Sequence, residues 1–268
     1  MVSAPPIFRQ FLDPTTRAAS YLLADASPGE AVLIDPVREQ LPLYLSVLRE
    51  LRLRLVYALD THLHADHVTA AATLREITGA RIGIGRQIGI EGADLLLADG
   101  TELAFGGQHL QVLATPGHTP GCVTYRWRDR LFTGDALLIG GCGNTRIGDA
   151  GLLYDSITRR ILRHPDDTLI YPGHLQGGDS GQRVSCVAEE RARNPFVRGL
   201  SRDEFIAHLA RQRPMAETST EQDTLLAANR RCGASTASSS PTSRPSSRAC
   251  RRCPARASSS TTCARATR

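Results

Sequence analysis

Short apolar runs alternate with longer amphipathic stretches through most of the chain. Tyr21–Ala24 and Ala31–Ile34 are apolar runs separated by a segment holding Ser27-Pro28-Gly29, a pattern that predicts a β-hairpin. Leu41, Leu45, Leu48 and Leu51 recur at helical spacing within Val37–Leu53, which predicts a helix there. Leu55–Leu59 reads as a strand that ends where a polar cluster begins at Thr61, and His67–Thr78 reads as the next helix, stopped by Gly79. β-like runs follow at Arg81–Ile84, Glu102–Phe105, Leu110–Ala114, Cys122–Trp127 and Arg130–Phe132. A helix over Tyr154–Arg163 then precedes a strand at Thr168–Tyr171, and Val184–Arg193 and Arg202–Arg211 read as further helices. Each His-rich or Gly-rich segment follows a strand. That order predicts a layered α/β protein whose site lies on strand-end loops.

The 268 residues suffice to bury a full core. Apolar runs such as Leu95–Leu97 and Ala136–Ile139 fall far short of the ~20 residues that cross a bilayer, so no membrane span is expected. Met1–Leu12 lacks a basic segment followed by an apolar one, and a cytoplasmic location is expected. The seven cysteines are widely spaced, which argues against a disulfide framework.

Net charge is +5, but it is unevenly placed. Residues 233–268 hold seven Arg and no acidic residue, so the preceding body carries a small acidic excess. Fifteen of those 36 residues are Ser or Thr, and Leu, Ile, Val and aromatics are absent. Such a segment cannot offset its ordering entropy by burial, and a disordered tail is expected over 233–268, following one domain over 1–232. The Arg-rich tail raises a remote alternative function, non-specific binding of nucleic acid. Against it, the tail has no aromatic that could stack on bases and the body has no basic stripe.

The candidate chemistry is concentrated. Thr61-His62-Leu63-His64-Ala65-Asp66-His67 sets four metal-ligand side chains in one short segment, a donor mix suited to zinc or Fe(II). An extended backbone sends residues 62, 64 and 66 to one side, and a turn brings His67 round to join them. Three further segments end strands with a ligand: Pro116-Gly117-His118-Thr119-Pro120-Gly121, Thr133-Gly134-Asp135 and Tyr171-Pro172-Gly173-His174.

The ordered set His62, His64, Asp66, His67, His118, Asp135 and His174 resembles the metallo-β-lactamase superfamily. The resemblance implies an αββα sandwich, two mixed sheets flanked by helices, with metal between the sheet edges. Finer features resemble its glutathione-dependent persulfide dioxygenases: Ile7-Phe8-Arg9-Gln10, Val32-Leu33-Ile34-Asp35-Pro36-Val37, His118–Tyr125, Gly134–Ile139, Asp155-Ser156-Ile157 and Asn229–Gly233. That family likeness implies one Fe(II) per chain on His62, His118 and Asp135, with His64, Asp66, His67 and His174 orienting the ligands. It also implies glutathione persulfide and dioxygen as substrates, sulfite and glutathione as products, and a homodimer as an assembly option.

This chain departs from that family after Gly143, where Asn144 replaces an expected Arg; the side chains of Asn144 and Arg146 are read as substrate-binding candidates, with Arg146 taking the substrate carboxylate. Downstream, Leu175-Gln176 replaces an expected Asp-Tyr. The alternative of the same fold is a hydrolase resembling hydroxyacylglutathione hydrolase, in which two zinc ions use all seven ligands and a bridging hydroxide attacks a thioester.

Overall fold

A computed structural model of the chain describes residues 5–175, 181–212 and 220–231. The hairpin forms as expected: β2 (Ala19–Asp25) and β3 (Glu30–Ile34) pair antiparallel, with Tyr21 opposite Ile34. β1 (Ile7–Leu12) adds antiparallel to β2, while β4 (Arg54–Leu59), β5 (Arg81–Gly85) and β6 (Leu95–Leu97) extend the other side in parallel. Parallel neighbours need a crossover, and the amphipathic helices α1 (Leu41–Glu50) and α2 (Ala71–Thr78) supply two of them. The second sheet comprises β7 (Glu102–Phe105), β8 (Gln108–Ala114), β9 (Val123–Trp127), β10 (Arg130–Gly134), β11 (Leu169–Pro172) and β12 (Ser185–Cys186). Its strands run in sequence order, all antiparallel except β10 with β11, which α3 (Ala150–Ser156) links.

Strand alternation builds three layers of core. Tyr21, Leu23, Val32, Ile34 and Leu59 face Phe105, Val112, Tyr125, Trp127 and Phe132 across the gap between the sheets. Their alternates Leu22, Leu33, Ala58 and Ile82 pack under Tyr44 and Leu48 of α1 and Leu74 of α2. On the far side, Leu131 and Ile170 pack under Leu153 and Ile157 and under Phe205 and Leu209 of α5 (Arg202–Gln212). Both faces of the central strands are covered, which is why they read as continuous apolar runs. The αββα sandwich expected from the sequence is therefore present.

Several boundaries differ from the sequence reading. The helix expected over His67–Thr78 begins only at Ala71, because Thr69 bridges to Val37 and its hydroxyl donates to Asp60. A 3-10 turn, Arg38–Gln40, precedes α1. α3 starts earlier than expected, since the Asp149 carboxylate accepts the Leu152 amide at 2.7 Å and caps it, and beyond Ser156 it widens into a π-turn, Ile157–Ile161. The expected Val184–Arg193 helix gives its first residues to β12 and begins as α4 (Val187–Arg193). The sequence reading missed α6 (Thr220–Arg230), a mostly polar helix with one buried residue, Asn229. The expected disordered tail lies outside the described residues.

Candidate metal centre

All seven candidate ligands stand on loops at one end of the sandwich. The His62–His67 loop follows β4, His118 lies in the turn between β8 and β9, Asp135 follows β10, and His174 follows β11. β10 reaches Asp135 through a register shift between Phe132 and Gly134. Gly134 has φ +51°, and a Cβ there would lie 2.4 Å from the Thr61 hydroxyl. Only glycine lets β10 and the His62 loop approach this closely.

His62, His118 and Asp135 converge. The Asp135 Oδ2 atom lies 3.9 Å from His62 Nε2 and 3.8 Å from His118 Nε2. Two donors about 2.1 Å from a common ion can be at most about 4.2 Å apart, so each of these pairs fits one ion. The hydrogen bonds behind the donors fix which atoms face inward. Thr61 donates its single hydroxyl proton to Asp35 Oδ2 at 2.8 Å, so at its 2.8 Å contact with His62 Nδ1 it must accept. His62 therefore carries its proton on Nδ1 and presents the Nε2 lone pair. His118 Nδ1 donates to the Asn144 carbonyl at 2.6 Å, which leaves its Nε2 equally free. His174 Nδ1 donates to Asp135 Oδ1 at 2.8 Å, leaving Oδ2 for the centre.

Burial, with the neighbouring His64 adding to it, pushes His62 well below the ordinary histidine range and keeps it neutral. Desolvation of the largely enclosed Asp135 opposes ionisation, but the nearby His174 charge and hydrogen bond hold it well below the usual carboxylate range. The site thus turns two imidazole nitrogens and one carboxylate oxygen inward, a donor set that fits a divalent ion.

The remaining four candidates form a second group. Asp66 Oδ2 receives His67 Nδ1 at 2.9 Å and His174 Nε2 at 3.0 Å. His174 lies between the carboxylates of Asp66 and Asp135; burial opposes its charge, but the two carboxylates outweigh it and raise the pKa to about 11. His64 points its Nε2 at Asp35, 3.3 Å away, and although burial opposes its charge that partner raises it to about 9. Asp35, at the end of β3 with φ +49°, also accepts the Thr61 amide at 2.6 Å. His64, Asp66 and His67 offer donor atoms within 4.8 Å of one another. Among the described residues, His64 Nδ1 and His67 Nε2 are buried and have no hydrogen-bond partner.

A small pocket opens beside His118, walled by Leu63, Ala65, Asn144, Arg146, Ile147 and Leu226. Arg146 faces it and donates to Gln222 at 2.6 Å. Asn144 reaches the centre through its backbone carbonyl, not the side chain expected from sequence; the side-chain oxygen accepts the Arg146 amide. Sequence reasoning also missed the roles of Asp35, Thr61 and Asn229. Asp35 carried one signal, a lone carboxylate closing an apolar strand.

A family model described as the metallo-beta-lactamase superfamily matches residues 14–174. The mitochondrial persulfide dioxygenase ETHE1 of Homo sapiens is 44% identical over 241 residues, spanning 87% of this chain and 91% of that protein. The crystal structure of ETHE1 from Myxococcus xanthus superposes with a TM-score of 0.80 at 43% identity, covering 85% of this chain and 99% of that one. Hydroxyacylglutathione hydrolase of Cereibacter sphaeroides is more distant, 36% identical over 182 residues that span 66% of this chain and 69% of that protein. The chain belongs to the metallo-β-lactamase superfamily and, within it, to the persulfide dioxygenase family.

Proposed function

We propose that this chain is a persulfide dioxygenase that converts glutathione persulfide, dioxygen and water to glutathione and sulfite, using one Fe(II) held by His62, His118 and Asp135. The observation that carries the reading is the convergence of His62 Nε2, His118 Nε2 and Asp135 Oδ2, each locked from behind. Held by His62, His118 and Asp135, an Fe(II) ion would supply the electron transfer between the substrate sulfur and dioxygen. The chain supplies position. Thr61 and Asp35 hold His62, the Asn144 carbonyl holds His118, and His174 turns Asp135 so that a single carboxylate oxygen faces inward. Leu63, Ala65, Ile147 and Leu226 give the adjoining pocket apolar walls that limit water. Arg146, which lines this pocket and donates to Gln222, would take a carboxylate of the glutathione moiety.

A second reading, a two-zinc thioester hydrolase, draws on the unpartnered His64 and His67 nitrogens beside Asp66. Against it, the hydroxyacylglutathione hydrolase relative matches at lower identity and over less of the chain than the persulfide dioxygenases do. The deciding experiment is metal analysis of anaerobically purified protein together with oxygen uptake on adding glutathione persulfide. About one iron per chain, with sulfite formed, is expected. Two zinc ions per chain, no oxygen uptake and cleavage of a glutathione thioester would overturn the assignment.

A cytoplasmic location and a homodimer belong to the same proposal. The free thiols of Cys122, Cys142 and Cys186 suit a reducing compartment, and burial pushes the Cys122 and Cys142 thiols up to about 12, away from reactivity. Among the described residues no helix is long and apolar enough to cross a membrane.

A further inference from the structure

Helix α6 is poor in apolar residues, yet one stripe of it faces the centre. Gln222, Leu226 and Asn229 follow one another at helical spacing, the first two walling the pocket beside His118. Asn229 is 1% exposed and spends its whole amide on the ligand loop. Its Nδ2 donates to the His64 carbonyl at 2.9 Å and to the His67 carbonyl at 2.8 Å, and its Oδ1 accepts the Thr69 amide at 3.0 Å. The assignment of oxygen and nitrogen follows from the partners, since carbonyls only accept and an amide N–H only donates. The side chain thus fastens three backbone groups of an irregular loop that has no strand or helix ladder of its own. These are the groups on either side of Asp66, in the loop that also carries His62.

We infer that Asn229 is a positioning residue for the metal site, fixing the path of the His62–Thr69 loop from a helix more than 150 residues away in sequence. The inference deepens the proposed function, resting on the reading of His62 as a ligand, but it is independent of which substrate is oxidised. Without the amide, two carbonyls and one N–H in a buried loop lose their partners, and the loop must move to find others. His62 would then shift relative to His118 and Asp135, which belong to the other sheet and keep their places. Outer partners of metal ligands typically contribute 10–100-fold to affinity.

The test uses the full chain and the metal alone. Fe(II) is titrated anaerobically against a competing chelator for wild type, Asn229→Ala and the milder Asn229→Ser, and the visible ligand-field bands of each protein are compared after loading with Co(II). Circular dichroism and the melting temperature of the metal-free proteins are recorded alongside. The expected result is Fe(II) binding at least tenfold weaker for Asn229→Ala, a smaller loss for Asn229→Ser, and displaced Co(II) bands in both. If Asn229→Ala fails to fold, Asn229→Ser carries the comparison. A folded variant with wild-type affinity and unchanged Co(II) bands would overturn the inference even if it melted lower, since that is the behaviour of a residue serving stability only. A wild-type protein that takes up no Fe(II) would overturn the ligand assignment first, and the inference with it. Metal uptake without persulfide oxidation would count against the proposed substrate and leave the role of Asn229 standing.

Discussion

Thr61 shows how much the centre depends on single atoms. Its hydroxyl has one proton, and giving it to Asp35 decides the tautomer of His62 and hence the nitrogen offered to a metal. His174 works by charge in a comparable way, held between Asp66 and Asp135 with its pKa raised to about 11 from an ordinary value near 6.5. A raised folded-state pKa stabilises the fold in full below about pH 6.5, and that stabilisation is lost as pH climbs toward 11. The depressed carboxylates of Asp66 and Asp135 act in the opposite direction, stabilising above about pH 4 and less as the solution becomes more acidic. The metal-free protein should therefore show a melting temperature that declines from pH 6.5 to 10, and calorimetry of His174→Gln should show that decline flattened. An identical slope in the variant would remove His174 from the account. The candidate ligands stood out in the sequence because His and Asp at that spacing have few other uses, and the fold brings them to one end of the sandwich. Thr61 did not stand out, because a threonine beside a histidine is common and gains meaning only when Asp35 arrives from another strand.

At the scale of elements, the sequence was most informative where periodicity was strong. β2, β3, β4 and α1 fall close to where apolar spacing places them. It failed where side chains replaced backbone ladders: the turn before α2 is held by Thr69, Asp60 and Asn229, and its composition alone reads as a continuation of the helix. α6 escaped notice because its inward face consists of a glutamine, a leucine and an asparagine rather than an apolar stripe. Two glycines separate local from functional strain. Gly79 closes α2 at φ +75° with nothing within 4 Å of an added Cβ, so Gly79→Ala should cost about 1 kcal/mol of stability and leave metal affinity alone. Gly134→Ala combines a similar backbone with a collision at Thr61, and it should lower Fe(II) affinity at least tenfold besides lowering the melting temperature. Equal affinity losses for the two variants, measured by chelator competition, would contradict this distinction.

At the scale of the molecule, we propose that residues 1–232 form the catalytic domain. A chain ending after Gly233 should keep its oxygen uptake and melt within a few degrees of the full chain; a large loss in either would show that residues 234–268 contribute to the domain. The two sheets divide the sequence cleanly, the first built from Ile7–Leu97 and the second from Glu102–Cys186. His62 belongs to the first, while His118 and Asp135 belong to the second. An ion bound by all three is therefore a bolt between two halves that also meet across the shared core and through hydrogen bonds such as Val123 N–H to the Thr61 carbonyl. Whatever pries the halves apart must also release the ion, and whatever supplies the ion favours their closure. If these three side chains hold the metal proposed above, the supply of that metal during folding would decide how much of the chain survives as assembled protein, and not merely how much of it is active.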